Sequence, residues 1–284
     1  MINTKIKGNI KNRKELERIV QNNTVLHSYL FLGENGIGKK EIAKEFAKQI
    51  LCLAHKDKCD CKSCICFETD NHPDFQLINN EGETIKISTI REMISTVYEK
   101  PILSKKKIYI INDADKMTKE AQNSLLKTLE EPPEYIIIIL IASNTDMLLN
   151  TIKSRCTKII FEKLTTQELK EALEPKTNLD ENISEKMFEF FDGSVGKAIK
   201  ILEKKEIYDA LDKFIETIEK TNKIDFLTKT KEIFDKEEIY GMLEYCMVSL
   251  FYIGKKENNI KTDLYNGVPD SLLPLSVISE VASL

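Results

Sequence analysis

The stretch that decides the fold is SYLFLGENGIGKKEIAKEFAKQIL, residues 28–51. Its first five residues form an apolar run typical of a buried strand, and apolar residues recur at helical spacing after residue 39. Between the two lies GENGIGKK, residues 33–40, which we name the phosphate loop. It fits the pattern G-x-x-x-x-G-K-[ST] except at its last position. A strand, a glycine loop and a helix in this order predict a phosphate-binding ancestry.

The phosphate loop has the residues that hold phosphate but not the residue that holds magnesium. Its backbone N–H groups, around Gly33, Gly36 and Gly38, would surround phosphate oxygens, and Lys39 would approach the β- and γ-phosphates. Lys40 replaces the hydroxyl side chain that should coordinate Mg²⁺. We expect weak ATP binding. The alternative is an inherited turn whose glycines now only permit tight packing.

A second element that should hold magnesium is also altered. The apolar run 107–111 is followed by Asn112, Asp113 and, two positions further, Asp115. An ATPase needs a carboxylate at such a strand end to hold Mg²⁺ and a second one to orient water. If Asn112 occupies the metal position, that charge is lost, and Asp113 is shorter than the expected glutamate. This second change argues against hydrolysis; the alternative for both aspartates is helix capping or surface ion pairs.

Five of the seven cysteines fall between residues 52 and 66. No secretory signal precedes them, so reduced thiolates on a metal are favoured over disulfides. A closed set of four thiolates is typical of structural zinc. The preferred ligands are Cys52, Cys59, Cys61 and Cys64. Cys66 is a substitute for one of them, and His55 or His72 is a less favoured one.

The segment TIKSRC, residues 151–156, offers an arginine. Arg155 follows a strand and a polar loop, and an arginine at such a place can neutralise charge on the γ-phosphate of a neighbouring subunit's nucleotide. Most single arginines are ordinary surface residues; the flanking Ser154 and Cys156 favour the role in trans. We expect Cys156 to be a packed thiol and not a ligand.

The organisation of the chain changes near residue 164. Before it, apolar runs alternate with amphipathic helices, which predicts a doubly wound α/β domain over residues 1–163 with a parallel sheet. After it only helices are predicted: a small bundle over 164–206 that begins with the capping box of Thr165 and Glu168, and a further domain over 207–284. The expected strands are 28–32, 75–78, 107–111, 135–142 and 158–161. The expected helices include 88–99, 118–131 with Thr118 as N-cap, 183–191, 195–202 and 243–253.

Composition narrows the class of protein. The chain has 284 residues, of which 42% are hydrophobic and 31% charged, so it is expected to be globular. The net charge of −4 gives no support to a zinc-dependent DNA-binding protein, one rival hypothesis. No stretch is long and apolar enough to span a bilayer, so we expect no membrane partner and a cytoplasmic location.

Together these segments resemble the clamp-loader subunits of bacterial DNA polymerase III, which belong to the AAA+ class. The resemblance covers roughly residues 1–205. The segments that carry it, in family order, are HSYLF (27–31), GENGIGK (33–39), the cysteine insertion followed by HPD (72–74), DADKM (113–117), NSLLKTLEEPP (123–133), TIKSRC (151–156) and GSVGKA (193–198). The one-residue gap between Cys59 and Cys61 is shorter than the family's usual two.

The resemblance implies an AAA+ nucleotide-binding-like domain with a zinc insertion at about 52–66, a helical lid (164–206) and an all-α collar (207–284). Motor subunits keep the loop hydroxyl, an Asp-Glu pair and a lid arginine; this chain has Lys40, Asn112-Asp113 and Gly196-Lys197. It therefore resembles the non-catalytic stator of a five-membered ring.

Such a stator is expected to contact the gamma/tau and delta subunits and to supply Arg155 to a neighbouring ATP site. The ring loads the sliding clamp onto primed DNA, and polymerase activity belongs to another subunit of the holoenzyme. The rival from the enzyme class is an active gamma/tau-like motor subunit.

Overall fold

The computed structural model describes residues 6–54, 59–79, 83–174, 185–204 and 208. The chain divides into two compact units, Met1–Ile207 and Tyr208–Leu284, and nearly all described residues belong to the first. Several predictions lie outside the described residues: His55 as a ligand, the start of the helix at 183 and, apart from Tyr208, the collar over 207–284.

The five strands and the helices predicted over 88–99, 118–131 and 195–202 begin and end within two residues of their predicted bounds, whereas the helices at 10–21, 62–68 and 150–153 were not predicted. The strands are β1 (Ser28–Leu32), β2 (Phe75–Ile78), β3 (Lys107–Ile111), β4 (Ile136–Ala142) and β5 (Thr157–Ile160). The helices are α1 (Ile10–Gln21), α2 (Lys39–Leu51), α3 (Lys62–Glu68), α4 (Ile87–Val97), α5 (Lys119–Glu130), α6 (Asn150–Lys153), α7 (Thr166–Leu173), α8 (Glu185–Phe191) and α9 (Val195–Leu202).

The five strands form one parallel sheet in the order β2-β3-β4-β1-β5. Every residue of β1, β3 and β4 is buried, because helices cover both faces of the sheet. This explains why these strands are continuous apolar runs instead of alternating patterns. The predicted parallel α/β domain is confirmed. Because the strands are parallel, the phosphate loop, the strand end at Asn112 and the loop after β4 lie at the same edge.

Local side-chain signals set the helix boundaries. The hydroxyl of Thr118 accepts a hydrogen bond from the Ala121 N–H at the start of α5. Thr165 and Glu168 form the predicted capping box at the start of α7. Pro132 follows α5 closely and cannot continue it. In the part of the chain that the structure describes, no helix has the length and apolarity needed to cross a membrane.

Candidate functional site

The phosphate loop connects β1 to α2 and holds its own lysine. Lys39 is 6% exposed, and its ammonium donates hydrogen bonds to the carbonyls of Gly33 and Glu34, each at 2.5 Å. Burial lowers the pKa of Lys39, and the nearby carboxylates of Asp113 and Asp115 oppose that shift. The cation that would meet a triphosphate is therefore already bonded inside the loop, and a phosphate would have to displace both carbonyls.

The start of α9 is bonded to the same loop. The N–H of Gly196 donates to the carbonyl of Gly36 at 2.9 Å, and the hydroxyl of Ser194 donates to the carbonyl of Asn35 at 2.9 Å. A Cβ at position 196 would lie only 2.9 Å from the Gly36 Cα, so a larger residue does not fit in this arrangement.

A cavity of about 350 Å³ opens beside the phosphate loop. Its lining comes from the N-terminal segment, the loop, α2, the end of α3, α7 and α9, and includes Lys7, Ile37, Lys44, Ala172 and Val195. The cavity is large enough for part of a nucleotide. Within the loop, the groups that are bonded to the protein are the Lys39 ammonium and the carbonyls of residues 33–36.

The polar residues after β3 make contacts within the chain. The amide of Asn112 donates to the carbonyl of Asn79 at 3.3 Å, and Asn79 returns a hydrogen bond to the Asn112 carbonyl at 3.2 Å. Asp113 forms an ion pair with Lys116 at 3.2 Å. One carboxylate oxygen of Asp115 accepts three hydrogen bonds, from the N–H and hydroxyl of Ser143 and the N–H that follows. These contacts agree with the alternative of local pairing for both aspartates.

Four cysteines converge at the opposite end of α2. Cys52 ends α2, Cys61 precedes α3 and Cys64 lies within α3. Their sulfur atoms and that of Cys59 all lie within 4.8 Å of one another. We call these four residues the cysteine cluster. The preferred ligand set is thus brought together, and Cys66, on α3, is not part of this group. Only one residue separates Cys59 from Cys61, and a turn in which the Cys61 N–H donates to the Cys59 sulfur at 3.4 Å accommodates this short spacing.

The environment of the cysteine cluster favours a metal-binding thiolate. Burial raises the pKa of Cys61, but backbone N–H groups of Cys64 and Leu53 outweigh it, and the pKa falls to about 6. Burial, together with the neighbouring thiols of Cys52 and Cys61, raises the pKa of Cys64 in the absence of a cation. A divalent metal would stabilise all four as thiolates, so the residues fit a structural zinc ion.

A buried hydrogen-bond network attaches the cysteine cluster to the sheet. The Nδ1 of His72 accepts a hydrogen bond from the Asp74 N–H at 3.0 Å, so its Nε2 carries the proton and donates to the Ser63 hydroxyl at 2.8 Å. Ser63 in turn donates to the carbonyl of Leu51 at 2.7 Å. Burial lowers the pKa of His72. His72 as a substitute zinc ligand is wrong, because both ring nitrogens are already bonded to the protein.

Asp74, the other polar residue of the HPD segment, fixes the loop before β3. It is fully buried, and its carboxylate accepts hydrogen bonds of 2.6 to 2.8 Å from the backbone N–H groups of residues 102–104. No role for Asp74 was predicted from the sequence beyond the resemblance. In the sequence, the feature that points to these buried contacts is a histidine and an aspartate two residues apart just before a strand.

Arg155 lies directly after α6 in a local ion pair. Its Nη2 is 2.5 Å from a carboxylate oxygen of Glu130, and its Nη1 donates to the Thr151 carbonyl at 2.9 Å. The side chain is 33% exposed. The hydroxyl of Ser28 on β1 donates to the Arg155 carbonyl at 2.7 Å, which fixes the backbone. Cys156 is buried and burial raises its pKa to about 11, which confirms a packed thiol.

Comparison with known proteins gives two kinds of relative. The family model described as "DNA polymerase III, delta subunit" matches residues 8–165. The DNA polymerase III subunit delta′ of Bacillus subtilis is 30% identical over 92% of this chain and 83% of its own length. The gamma/tau subunit of Mycoplasma genitalium is also 30% identical, over 74% of this chain, but the match spans only 36% of that longer protein.

A solved structure supports the fold. The DNA polymerase III gamma subunit-related protein of Thermotoga maritima superposes with a TM-score of 0.51 at 21% identity, over 96% of this chain and 90% of that one. The parallel five-stranded sheet and its helices therefore share the fold of that protein. The family match and the delta′ relative that aligns over most of both lengths show that this chain belongs to the delta′ family of DNA polymerase III subunits.

Proposed function

We propose that this chain is the non-catalytic stator of a clamp loader and helps to load the sliding clamp onto primed DNA. The observation that carries the proposal is the closed phosphate loop: Lys39 bonds to loop carbonyls, and Gly196 bonds to Gly36. A motor subunit must open and refill this loop in every cycle. A loop whose lysine and carbonyls are bonded to the protein itself suits a subunit that stays rigid.

The same contacts bear on nucleotide binding. Lys40 offers no hydroxyl to Mg²⁺, and the Asn112 amide is bonded to the end of β2. Any ATP that binds would lose the usual contribution of the metal ion, which bridges the β- and γ-phosphates. We therefore infer weak nucleotide binding with little magnesium dependence and no turnover by the chain itself.

Arg155 is proposed to act on a neighbouring subunit's ATP. Its backbone is fixed by Ser28 and its side chain reaches the surface in part, so a guanidinium is available at the surface of the α/β domain. An arginine supplied in trans stabilises the charge that develops on the γ-phosphate during transfer. The neighbours are proposed to be the gamma/tau and delta subunits.

The remaining parts of the proposal concern organisation. The domains are proposed to be an AAA+ domain over 1–163, a lid over 164–206 and a collar over 207–284 that joins the ring, in a cytoplasmic complex. One structural zinc ion per chain is proposed at the cysteine cluster, supported by four sulfur atoms within 4.8 Å of one another. Metal analysis of protein purified without chelators tests this assignment.

The decisive test uses the reconstituted complex with the gamma/tau and delta subunits, the clamp and primed DNA. Arg155→Ala should leave ring assembly intact and reduce turnover at the site it completes by about 10³-fold. The rate of the whole complex should fall by a smaller factor, because the other sites keep their own arginines. Lys158→Ala, which removes an exposed cation on nearby β5, should leave the rate unchanged. An unaltered rate with Arg155→Ala would refute the role in trans.

The rival is an active motor subunit, and the gamma/tau relatives are the observation that favours it. It requires measurable ATP turnover by the purified chain, lost when Lys39 is replaced by alanine. The absence of turnover, together with the loss caused by Arg155→Ala in the complex, would support the stator.

A further inference from the structure

The carboxylate of Glu130 holds the Arg155 guanidinium in a fixed direction. Glu130 is the last residue of α5, and Pro132 and Pro133 follow it, so the helix must end at this point. A carboxylate at a helix C-terminus faces the negative end of the helix dipole and is unfavourable there without a cation. Arg155 supplies that cation, with 2.5 Å between Nη2 and the carboxylate oxygen.

The guanidinium is held at two points. Glu130 bonds to Nη2, and the carbonyl of Thr151 accepts from Nη1 at 2.9 Å; the Ser154 hydroxyl lies 3.4 Å from the same Nη1. Among the described residues these contacts use three of the five N–H groups of the side chain. The others stay available to an anion that approaches from outside.

We propose that Glu130 is a positioning residue for Arg155: it orders the guanidinium before the neighbouring subunit arrives, so that a γ-phosphate meets a fixed donor. This inference rests on the proposed role of Arg155 in trans. A free arginine side chain has many rotamers, and ordering it at the moment of reaction costs conformational entropy. In the folded chain, the bonds to Glu130 and Thr151 already restrict the Arg155 side chain, so less of this entropy cost remains at the moment of reaction.

The carboxylate also repels a phosphate, which opposes this effect. Any phosphate must approach through the N–H groups that Glu130 leaves open, so the cation lies between the two anions. Solvent further weakens the repulsion, since the Glu130 side chain is 46% exposed. We therefore expect orientation to outweigh repulsion, and loss of Glu130 to slow turnover.

The test compares Glu130→Gln with Glu131→Gln in the reconstituted complex. The two variants remove the same charge from adjacent exposed residues, and in the structure Glu130 is the one whose carboxylate holds Arg155. Glu130→Gln should lower kcat at the dependent site by about tenfold, the size expected from the rotamer entropy of a long side chain, with KM for ATP little changed. Glu131→Gln should match the wild type. Melting temperature and ring assembly should be equal in all variants.

The double variant of Glu130→Gln and Arg155→Ala distinguishes a failure of the positioning role of Glu130 from a failure of the role of Arg155 in trans. If Glu130 acts through Arg155, Glu130→Gln adds no further loss in the Arg155→Ala background. The positioning role would be overturned if Glu130→Gln raised the rate or left it equal to that of Glu131→Gln. It would also be overturned if Glu130→Gln caused the same loss in the Arg155→Ala background as in the wild type. If Arg155→Ala itself changes nothing, the role in trans is wrong; if it slows the complex and Glu130→Gln does not, only the positioning role is wrong.

Discussion

The two ends of α2 carry two potential ligand sites, and these sites differ in whether protein groups already bond to the residues that would bind the ligand. At its first turn, the phosphate loop is bonded to Lys39 and to the start of α9. Just after its last residue, Cys52 joins three other cysteines, and the four sulfur atoms all lie within 4.8 Å of one another. The lysine and carbonyls of the first site already have partners within the protein, whereas the four thiols of the second fit a metal ion.

The difference shows that a match to a sequence motif does not by itself make a ligand-binding site. The phosphate loop keeps three of the pattern's four specified residues, yet its lysine is already bonded to loop carbonyls, so a phosphate must break those hydrogen bonds before it gains the lysine. The cysteine cluster has an irregular spacing, yet its sulfurs lie at metal-binding separations. Which of the two binds a ligand depends on the groups that already surround each site.

The largest expected effect is at the cysteine cluster. Removing zinc with a chelator should lower the free energy of unfolding by about 4 kcal/mol when free zinc is near a thousand times the dissociation constant. Cys64→Ser should lose a similar amount and no longer respond to the chelator, because a closed site needs all four thiolates. Cys66→Ser is the matched control and should behave as the wild type. Denaturant unfolding with and without chelator measures this; a wild type insensitive to chelation would mean that the cluster binds no metal.

A smaller effect is expected at the phosphate loop. Gly36 has φ of 78°, and a Cβ there would collide with the Ser194 hydroxyl and lie 3.1 Å from the Gly196 backbone. Gly38 has φ of 91°, with nothing within 4 Å of an added Cβ. Gly38→Ala should therefore cost only the backbone strain, about 1 kcal/mol, whereas Gly36→Ala should cost about 3 kcal/mol. Equal losses in thermal unfolding would show that α9 does not hold the loop in solution.

The smallest effect is expected from restoring the motif. Lys40→Ser returns a hydroxyl to the magnesium position, but the Lys39 and Gly196 contacts that fill the loop stay in place. Binding of Mg·ATP, measured by calorimetry, should change by less than about threefold, which is within 0.7 kcal/mol. Tight, magnesium-dependent binding by this variant would show that position 40 alone had closed the site, and the comparison between the two ends of α2 would then fail.

Much of the α/β domain follows from local sequence signals. The apolar runs at β3 and β4 are rich in β-branched residues, and the run at β1 consists mainly of leucine and aromatic residues; all three predict buried strands, and each is confirmed. The caps at Thr118 and Thr165 are confirmed for the same reason: each depends on residues three positions apart. The cysteine set was also predictable, since its members are close in sequence.

The contacts that decide function were not predictable in this way. The bond between Gly196 and Gly36 joins residues 160 positions apart, and His72 bonds to Ser63 although its type suggested a metal ligand. Arg155 was expected as a surface guanidinium, and its ion pair with Glu130 depends on how α5 and α6 pack. No local pattern encodes such pairs, because each residue type has many equally suitable partners.

The sequence by itself determined the residue types: a loop without its magnesium hydroxyl, a strand end with Asn112 in place of an acid, four clustered thiols and an arginine after α6. Only the tertiary structure decided their state, because a polar group can bind a ligand only through hydrogen bonds that the fold leaves unmade. In the phosphate loop, Lys39 and the carbonyls that α9 contacts are already bonded, whereas packing of α5 beside α6 left part of the Arg155 guanidinium facing solvent.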